Sequence, residues 1–126
     1  MLRNEKGFTL IEIIAVLVIL GILAAVAIPK YISMMDQSRI AAAQGAIAEV
    51  KSRASGYYAN QLLAQTTPNV SNVLTSVGTP TTDVGSDFTV GTALAAGSSN
   101  IVITVSAVKG VTLSPSVVGT WYMPTP

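Results

Sequence analysis

The chain has 126 residues, half of them apolar and only 10% charged, and its formal charge at neutral pH is +1. This balance provides no basic field that would attract nucleic acid, which is therefore not an expected partner. The sequence holds neither cysteine nor histidine, which excludes disulfides, zinc sites built from those side chains, and catalytic triads that need an imidazole base.

The composition also argues against an enzyme. After Glu49 the only acidic side chains are Asp83 and Asp87, and Lys109 has no evident partner that would make it a base or a nucleophile. We therefore predict that the protein is not an enzyme and that it needs no catalytic residue, cofactor or metal ion.

Residues 1–7 (MLRNEKG) form a short, net basic segment in front of a long apolar run. Residues 8–28 contain no basic side chain, and Glu12 is their only acid. As a helix these 21 residues would span about 31 Å, which matches the roughly 30 Å of a bilayer's hydrocarbon core. We predict a transmembrane helix whose basic flank places the N-terminus in the cytoplasm.

Glu12 is the unusual residue of this run. A carboxylate costs about 2.5–3.5 kcal/mol at mid-membrane and less near the interface, so its presence indicates a function. Two interpretations stay open. The acid has a functional role within the apolar run, or it lies at the headgroup level near a helix N-terminus, whose dipole favours it.

An ordinary secretory signal peptide is a competing interpretation of the N-terminus. Such a peptide has the same basic segment and apolar region, and Ala25-Val26-Ala27 provides an A-x-A cleavage pattern. The mature protein would then begin at Ile28 and be a secreted or membrane-anchored binding domain. Glu12 argues against this interpretation, because the apolar region of a secretory signal has no use for an acid.

The apolar run opens with Lys6-Gly7-Phe8-Thr9-Leu10-Ile11-Glu12 and closes with Ile28-Pro29, followed by Tyr31. This arrangement resembles the processing and assembly motif of type IV prepilins and the related pseudopilins, and most closely that of type IV pilins. The resemblance extends to Ser55 and implies that the region after it varies within the family.

The resemblance implies how the chain is processed and assembled. A membrane-embedded prepilin peptidase would cut between Gly7 and Phe8, remove residues 1–7 as a leader peptide and N-methylate the new Phe8 amine. Phe8 and Glu12 would then act in filament assembly, where the Glu12 carboxylate faces the terminal amine of a neighbouring subunit.

Gly21 and Pro29 interrupt the helical pattern of the hydrophobic segment 8–29. Proline lacks a backbone N–H and clashes with the carbonyl four residues earlier, which predicts a kink or local melting over residues 25–29. In the resembling family such a segment can lose helicity when a filament assembles. A static kink where the helix leaves the membrane is the alternative, and both stay open.

Over residues 30–63 the helical pattern resumes in amphipathic form. Glu49 and Arg53 are four residues apart, in the favourable order for an ion pair on the solvent face. Residues 64–86 are rich in Thr, Ser, Asn, Pro and Gly and predict a loop, with a short helix that starts at Asn69 or Ser71. Apolar residues spaced by three and four predict one buried stripe on helix 30–63: Ile40, Ala43, Ile47, Val50, Ala54 and Tyr57.

Residues 87–126 alternate like antiparallel strands. A first strand is expected at 87–91, and a hairpin turn at Lys109-Gly110. Pro115 is expected to interrupt the chain before a last strand over 117–123. The second strand would present alternate apolar side chains to one face: Ile101, Ile103, Val105 and Ala107.

The predicted fold class is α+β. A long N-terminal helix is hydrophobic in its first half, for a membrane or a filament core, and amphipathic in its second half. The second half packs on a small antiparallel sheet of three to four strands, because the apolar face of that sheet needs a cover. A type IV pilin-like fold is also what the resemblance implies.

The function that these observations predict is a structural subunit, the major pilin, of a type IV pilus filament that serves adhesion or motility. Its partners would be identical subunits, the prepilin peptidase, the pilus assembly platform and, before assembly, the bacterial inner membrane. The assembled filament would be extracellular. A pseudopilin of a type II secretion system is the alternative within the family. Major pseudopilins carry an acidic calcium-binding loop near the C-terminus, and none is evident after Gly110, which favours a pilin.

Overall fold

A computed structural model of the protein describes residues 6–78 and 84–125. Residues 1–5 of the predicted leader, residues 79–83 of the predicted loop and Pro126 lie outside this described part. The chain divides into two compact units, Met1–Gln37 and Ser38–Pro126. One helix, α1 (Leu10–Leu63), contributes to both units.

The described part of the first unit consists of residues 6–9 and the beginning of α1. Every side chain from residue 6 to residue 37 is exposed, although most of those from Leu10 to Ile28 are apolar. The helix continues without a break through Gly21 and Pro29. The first unit therefore has no hydrophobic core among its described residues.

The second unit contains a three-stranded antiparallel sheet in the order β1-β2-β3. The strands are β1 (Phe88–Leu94), β2 (Asn100–Val108) and β3 (Val111–Tyr122). A long N-terminal helix that packs on a small antiparallel sheet confirms the predicted α+β fold. Among the described residues the sheet has three strands, the lower of the two numbers expected.

The predicted hairpin turn at Lys109-Gly110 joins β2 to β3. Both residues have positive φ angles, 50° for Lys109 and 74° for Gly110. Two successive positive φ angles are the signature of a type I′ turn, whose twist matches that of the strands on either side. The turn therefore fixes the pairing of the two longest strands.

The prediction that Pro115 separates two strands is wrong, because β3 continues through it as one strand. Proline lacks the N–H that a central strand would need, but β3 lies at an edge of the sheet. Residues 113–116 also lie outside the regular pairing, where the ladder shifts register opposite Ser106. Pro115 therefore removes no regular hydrogen bond of the sheet.

The hydrophobic core lies between one face of the sheet and the helices of the second unit. A short helix, α2 (Val70–Val77), starts at the Asn69 cap, whose side-chain oxygen accepts a hydrogen bond from the Ser71 N–H at 2.8 Å. The buried side chains come from all five elements: Ala43, Ala46, Ile47, Val50, Ala54, Tyr58, Val73, Val77, Val90, Ile101, Ile103, Val105, Val108 and Trp121.

The stripe predicted on the second half of α1 is correct in its centre and wrong at both ends. Ile40 and Tyr57 are 42% and 43% exposed, whereas Tyr58 is buried. Tyr58 follows Ala54 by one helical turn, its ring meets the edge of Trp121, and its hydroxyl donates a hydrogen bond to the Pro124 carbonyl at 2.9 Å. These contacts, from residues distant in sequence, select Tyr58 over its neighbour.

On β2 the predicted inward face is correct for Ile101, Ile103 and Val105, which are all buried. Ala107 is only half-buried, and Val108 is buried in its place. The pairing with β3 is irregular between Val105 and Ala107. An irregularity of this kind changes which side chains face the core, because strand residues alternate strictly only in a regular ladder.

Candidate processing and assembly segment

The predicted cleavage point lies in an exposed segment before α1. Residues 6–9 are not helical, and α1 begins at Leu10. Phe8 is 81% exposed, and among the described residues, apart from Gly7 and its two chain neighbours, no atom lies within 4 Å of the position that a Cβ on Gly7 would take. A peptidase would therefore reach the peptide bond between Gly7 and Phe8 without unwinding a helix.

Thr9 and Glu12 cap the N-terminus of α1 reciprocally. The Thr9 backbone N–H donates to Glu12 Oε2 at 3.3 Å, and the Thr9 hydroxyl donates to the same oxygen at 3.4 Å. In return, the Glu12 N–H donates to Thr9 Oγ1 at 3.4 Å. This is a capping box, in which a threonine and a glutamate three residues later satisfy backbone donors of the first turn.

Thr9 is therefore a functional residue that the sequence analysis missed as a cap. The pattern that predicts it is Thr-x-x-Glu immediately before an apolar run. The capping box explains part of the tolerance for Glu12, because the acid also lies in the first turn, where the helix dipole favours a negative charge.

The same geometry leaves the Glu12 carboxylate open to an external partner. Its contacts with Thr9 are at the long end of the hydrogen-bond range. They engage Oε2, whereas an ionised carboxylate has two oxygens that both accept hydrogen bonds. The side chain is also exposed. A cation from outside the chain can therefore approach Glu12 while the capping box is in place, so both interpretations of this acid remain open.

The apolar side chains that follow Glu12 form a continuous exposed surface on α1. The helix is long and apolar enough to cross a membrane, and no residue of its most apolar stretch is buried. Full burial of a Leu, Ile or Val side chain is favoured over its exposure to water by about 1.5–3 kcal/mol of free energy. Soluble monomers rarely expose apolar surface on this scale, so this surface indicates contact with lipid or with other apolar protein.

Gly21 and Pro29 both lie inside this exposed helix. Pro29 has no N–H to offer to the carbonyl of Ala25, which weakens the helix at that point. In the structure both residues lie in a continuous helix. The loss of helicity on assembly stays a prediction. The predicted site residues follow one another along the chain: Gly7 and Phe8 precede α1, and Glu12, Gly21 and Pro29 lie within it.

Comparison with known proteins finds relatives of this N-terminal stretch. Residues 2–28 match the family model described as the prokaryotic N-terminal methylation motif. The type II secretion system core protein G of Pseudomonas aeruginosa is 53% identical over 45 residues, which are 36% of this chain and 32% of that protein.

Two further relatives are named as pilus components. The type IV narrow pilus major component PilA5 of Thermus thermophilus is 45% identical over 49 residues, 39% of this chain and 42% of PilA5. The type IV major alpha-pilin of Moraxella bovis is 42% identical over 50 residues, 40% of this chain and 31% of that pilin. No solved structure matches the chain significantly.

These findings confirm the resemblance to the type IV prepilins and pseudopilins. Each match spans less than half the length of the relative concerned, between 31% and 42% in the three named here. The part of the likeness that can be placed on the sequence, residues 2–28, covers the segment before α1 and the beginning of that helix.

Proposed function

We propose that this chain is a structural subunit of a type IV pilus, assembled from identical copies through the N-terminal part of α1. One observation carries the proposal: the methylation motif at residues 2–28 overlaps the N-terminal part of α1, whose apolar side chains are all exposed up to residue 37. Lipid would cover this surface before assembly, and neighbouring copies would cover it afterwards. One repeated contact between identical chains that does not close on itself generates a helical filament.

The processing and pairing roles belong to the same proposal. A prepilin peptidase cuts between Gly7 and Phe8 and methylates the new amine, and the assembly platform extracts the mature chain from the inner membrane. In the filament the Glu12 carboxylate pairs with the terminal amine of a neighbouring Phe8. A carboxylate in an apolar core is tolerated when a cation neutralises it, and the pair also fixes the axial register of the subunits.

Intact-mass and N-terminal analysis of protein recovered from cells tests the processing. We expect a chain that begins at Phe8 and is heavier by one methyl group. A chain that begins at Ile28 would instead identify an ordinary secreted domain. The Gly7→Leu variant is the control. It should stay uncleaved, because the added side chain blocks the small-residue position before the cut, and its efficient processing would contradict the assigned peptidase.

The Glu12→Ala variant tests the pairing. It should be processed and held in the membrane like the natural chain but should form few or no filaments, as seen by electron microscopy of sheared cell-surface material. Glu49→Ala is the matched control, because it removes an exposed acid from the other half of the same helix, and it should assemble normally. Normal filaments from Glu12→Ala would contradict the pairing.

A pseudopilin of a type II secretion system is the second candidate. It is favoured by the 53% identity to a secretion-system core protein over 45 residues. Deletion of the gene from its own bacterium separates the two candidates. Loss of surface filaments with normal protein export supports the pilus, and loss of export with normal surface filaments supports the secretion system.

A further inference from the structure

The apolar band of α1 is bounded by one charged residue at each end, Glu12 and Lys30. Residues 13–29 between them contain no charged side chain. Lys30 lies eighteen positions after Glu12, which is five full helical turns, so both lie on the same side of the helix and about 27 Å apart. This separation falls just inside the roughly 30 Å hydrocarbon core of a bilayer.

No acidic side chain on the neighbouring turns of α1 can pair with the ammonium group of Lys30. Side chains on neighbouring turns of a helix lie three and four residues apart. At these positions from Lys30 the chain has Val26, Ala27, Ser33 and Met34, all uncharged. Within the part of the chain that the structure describes, no ion pair of Lys30 is present. No side chain of the described residues neutralises this exposed ammonium group, so it is open to a partner from outside the chain.

The residues after Lys30 identify the kind of partner. Tyr31 is next in sequence and 66% exposed, and tyrosine is enriched where a membrane meets water. A lysine at the same level extends its apolar stem along the hydrocarbon and places its ammonium group among the lipid phosphates. The next charged residue is Asp36, more than a turn further on. The carboxylate of Asp36 does not attract a phosphate group. Lys30 and Tyr31 therefore mark the C-terminal edge of the apolar band.

We infer that Lys30 and Tyr31 form a membrane-interface anchor that binds the phosphate headgroups of anionic phospholipids in the outer leaflet of the inner membrane. The inference rests on the proposed function in one respect, namely that the unassembled chain spans this membrane. The anchor fixes the depth of the helix. With Lys30 at the outer phosphates, Glu12 reaches the inner edge of the hydrocarbon, and Phe8, which precedes the first residue of α1, lies beyond that edge. The Gly7–Phe8 bond is then presented at the inner headgroups.

Removal of the Lys30 charge should let the helix slide. In Lys30→Leu the uncharged run extends from residue 13 to residue 35, which is 23 residues or about 35 Å of helix. This is longer than the hydrocarbon core, so the helix can move toward the cytoplasm by about one turn. Glu12 gains from this movement because its carboxylate enters the headgroup and water region.

Single-cysteine labelling measures this movement. The chain has no cysteine, so one cysteine introduced in turn at each position from 26 to 29 and from 32 to 36, which leaves Lys30 and Tyr31 in place, is the only reactive thiol. A membrane-impermeant maleimide added to spheroplasts labels the positions that emerge outside. We expect protection up to residue 29 and labelling from residue 32 or 33 onward. In Lys30→Leu the boundary should move by about four residues, one helical turn, toward Asp36.

Three control variants separate headgroup binding from other effects of charge. Lys30→Arg should leave the boundary unchanged, and so should Lys109→Leu, which removes a charge from the β2–β3 turn. In Lys30→Glu the acid is repelled by the headgroups, so the helix should move outward and labelling should begin at a lower residue number than in the natural chain. An unchanged boundary in Lys30→Leu would overturn the anchor. An unchanged boundary in Lys30→Glu would overturn phosphate binding, because a mere charge barrier does not depend on sign.

The same experiment distinguishes failure of the anchor from failure of the proposed function. If cysteines at positions 26–28 react in the otherwise natural chain, or if carbonate washing releases the chain from membranes, the chain does not span the membrane and the proposed function loses its premise. If the chain matures at Phe8 and forms filaments while its boundary ignores Lys30, the anchor alone is wrong.

Discussion

The two parts of α1 use apolar side chains in opposite ways. Between Leu10 and Met35 the helix carries large branched side chains around its whole circumference, and all of them are exposed. Between Ala43 and Tyr58 it buries a single stripe of mostly small residues against the other elements of its own unit. The second part finds its apolar partners within its own chain, and the first must find them elsewhere.

This difference assigns separate tasks to the two parts. A side chain in the buried stripe contributes to the free energy of unfolding of the second unit. A side chain on the exposed helix loses no contact when the second unit unfolds, and its contribution appears only in a membrane or in an assembly. Substitutions chosen in pairs, with one in each part of α1 or one at a packed and one at an open position, can therefore test whether the two tasks are separate.

The largest expected effect is on the core of the second unit. Ile103 is fully buried in the central strand, so Ile103→Ala should lower the free energy of unfolding by about 2–5 kcal/mol. Ile14→Ala removes the same atoms from the exposed helix and should leave unfolding unchanged while it reduces filament yield. Denaturant titration of the full chain in detergent, followed by the fluorescence of its single tryptophan, Trp121, measures the first effect.

Electron microscopy of sheared surface material measures the effect of Ile14→Ala on filament yield. If Ile14→Ala lowered the unfolding free energy as much as Ile103→Ala, the proposed separation of tasks along α1 would be wrong.

The next effect comes from the close approach of α1 to β3 at Gly119. A Cβ at this position would overlap the Ile47 Cγ2 methyl and lie 3.3 Å from the Lys51 side chain. Gly119→Ala should therefore destabilise the second unit by about 1–3 kcal/mol. Gly91→Ala is the matched control, because Gly91 also lies in a strand but has nothing within 4 Å of a Cβ.

A double variant identifies the cause of that loss. Ile47→Ala removes the methyl that a Cβ on Gly119 would overlap, so Gly119→Ala should cost less when it is combined with Ile47→Ala than when it is made alone. Equal losses in both backgrounds would show that the overlap with Ile47 is not the reason for the glycine.

The sequence predicts those features whose cause lies close by in the chain. The apolar run after Glu12 is visible as a run, and the hairpin is visible because Lys109-Gly110 allows two positive φ angles. Likewise, the inward face of β2 at Ile101 and Ile103 follows from alternation. The Thr9–Glu12 capping box was equally local, and its Thr-x-x-Glu pattern would have predicted it.

The features that were missed depend on contacts between distant residues. Tyr58 rather than Tyr57 is buried because Trp121 and Pro124 meet it. Pro115 is accommodated because its strand lies at an edge of the sheet, a position that follows from the strand order and not from the neighbours of Pro115. The proposed function of the exposed helix is a third case, because the partners proposed for it lie outside the chain. Its residues had to be interpreted by resemblance.

A smaller effect is expected at the C-terminal end of the second unit. The Tyr58 hydroxyl donates to the Pro124 carbonyl at 2.9 Å in a partly buried setting. Tyr58→Phe keeps the ring against Trp121 and removes only this bond, so it should cost about 0.5–1.5 kcal/mol. Tyr57→Phe is the control on the neighbouring exposed position and should have no measurable effect in the same denaturant titration. Equal effects would mean that the bond to Pro124 does not stabilise the second unit.

The smallest expected effect concerns Glu49, and it contrasts two acids of the same helix. Glu49 accepts a hydrogen bond from Arg53 Nε at 3.0 Å, one turn along α1. Both side chains are partly exposed, so Glu49→Gln should lower the unfolding free energy by only about 0.3–0.5 kcal/mol. The loss should shrink as salt is added, because salt screens exposed pairs. A loss that does not change between low and high salt would show that the two charges do not stabilise the helix.

Glu12 differs from Glu49 because no basic side chain lies four residues away along the chain, where the residues are Phe8 and Val16. Replacement of Glu49, which pairs with Arg53 of its own chain, should therefore lower the unfolding free energy slightly and leave filament formation unchanged. Replacement of Glu12 should reduce filament formation and leave the unfolding free energy of the second unit unchanged. Measuring both variants in both assays tests this contrast directly, and a Glu12→Gln variant that destabilised the second unit more than Glu49→Gln does would contradict it.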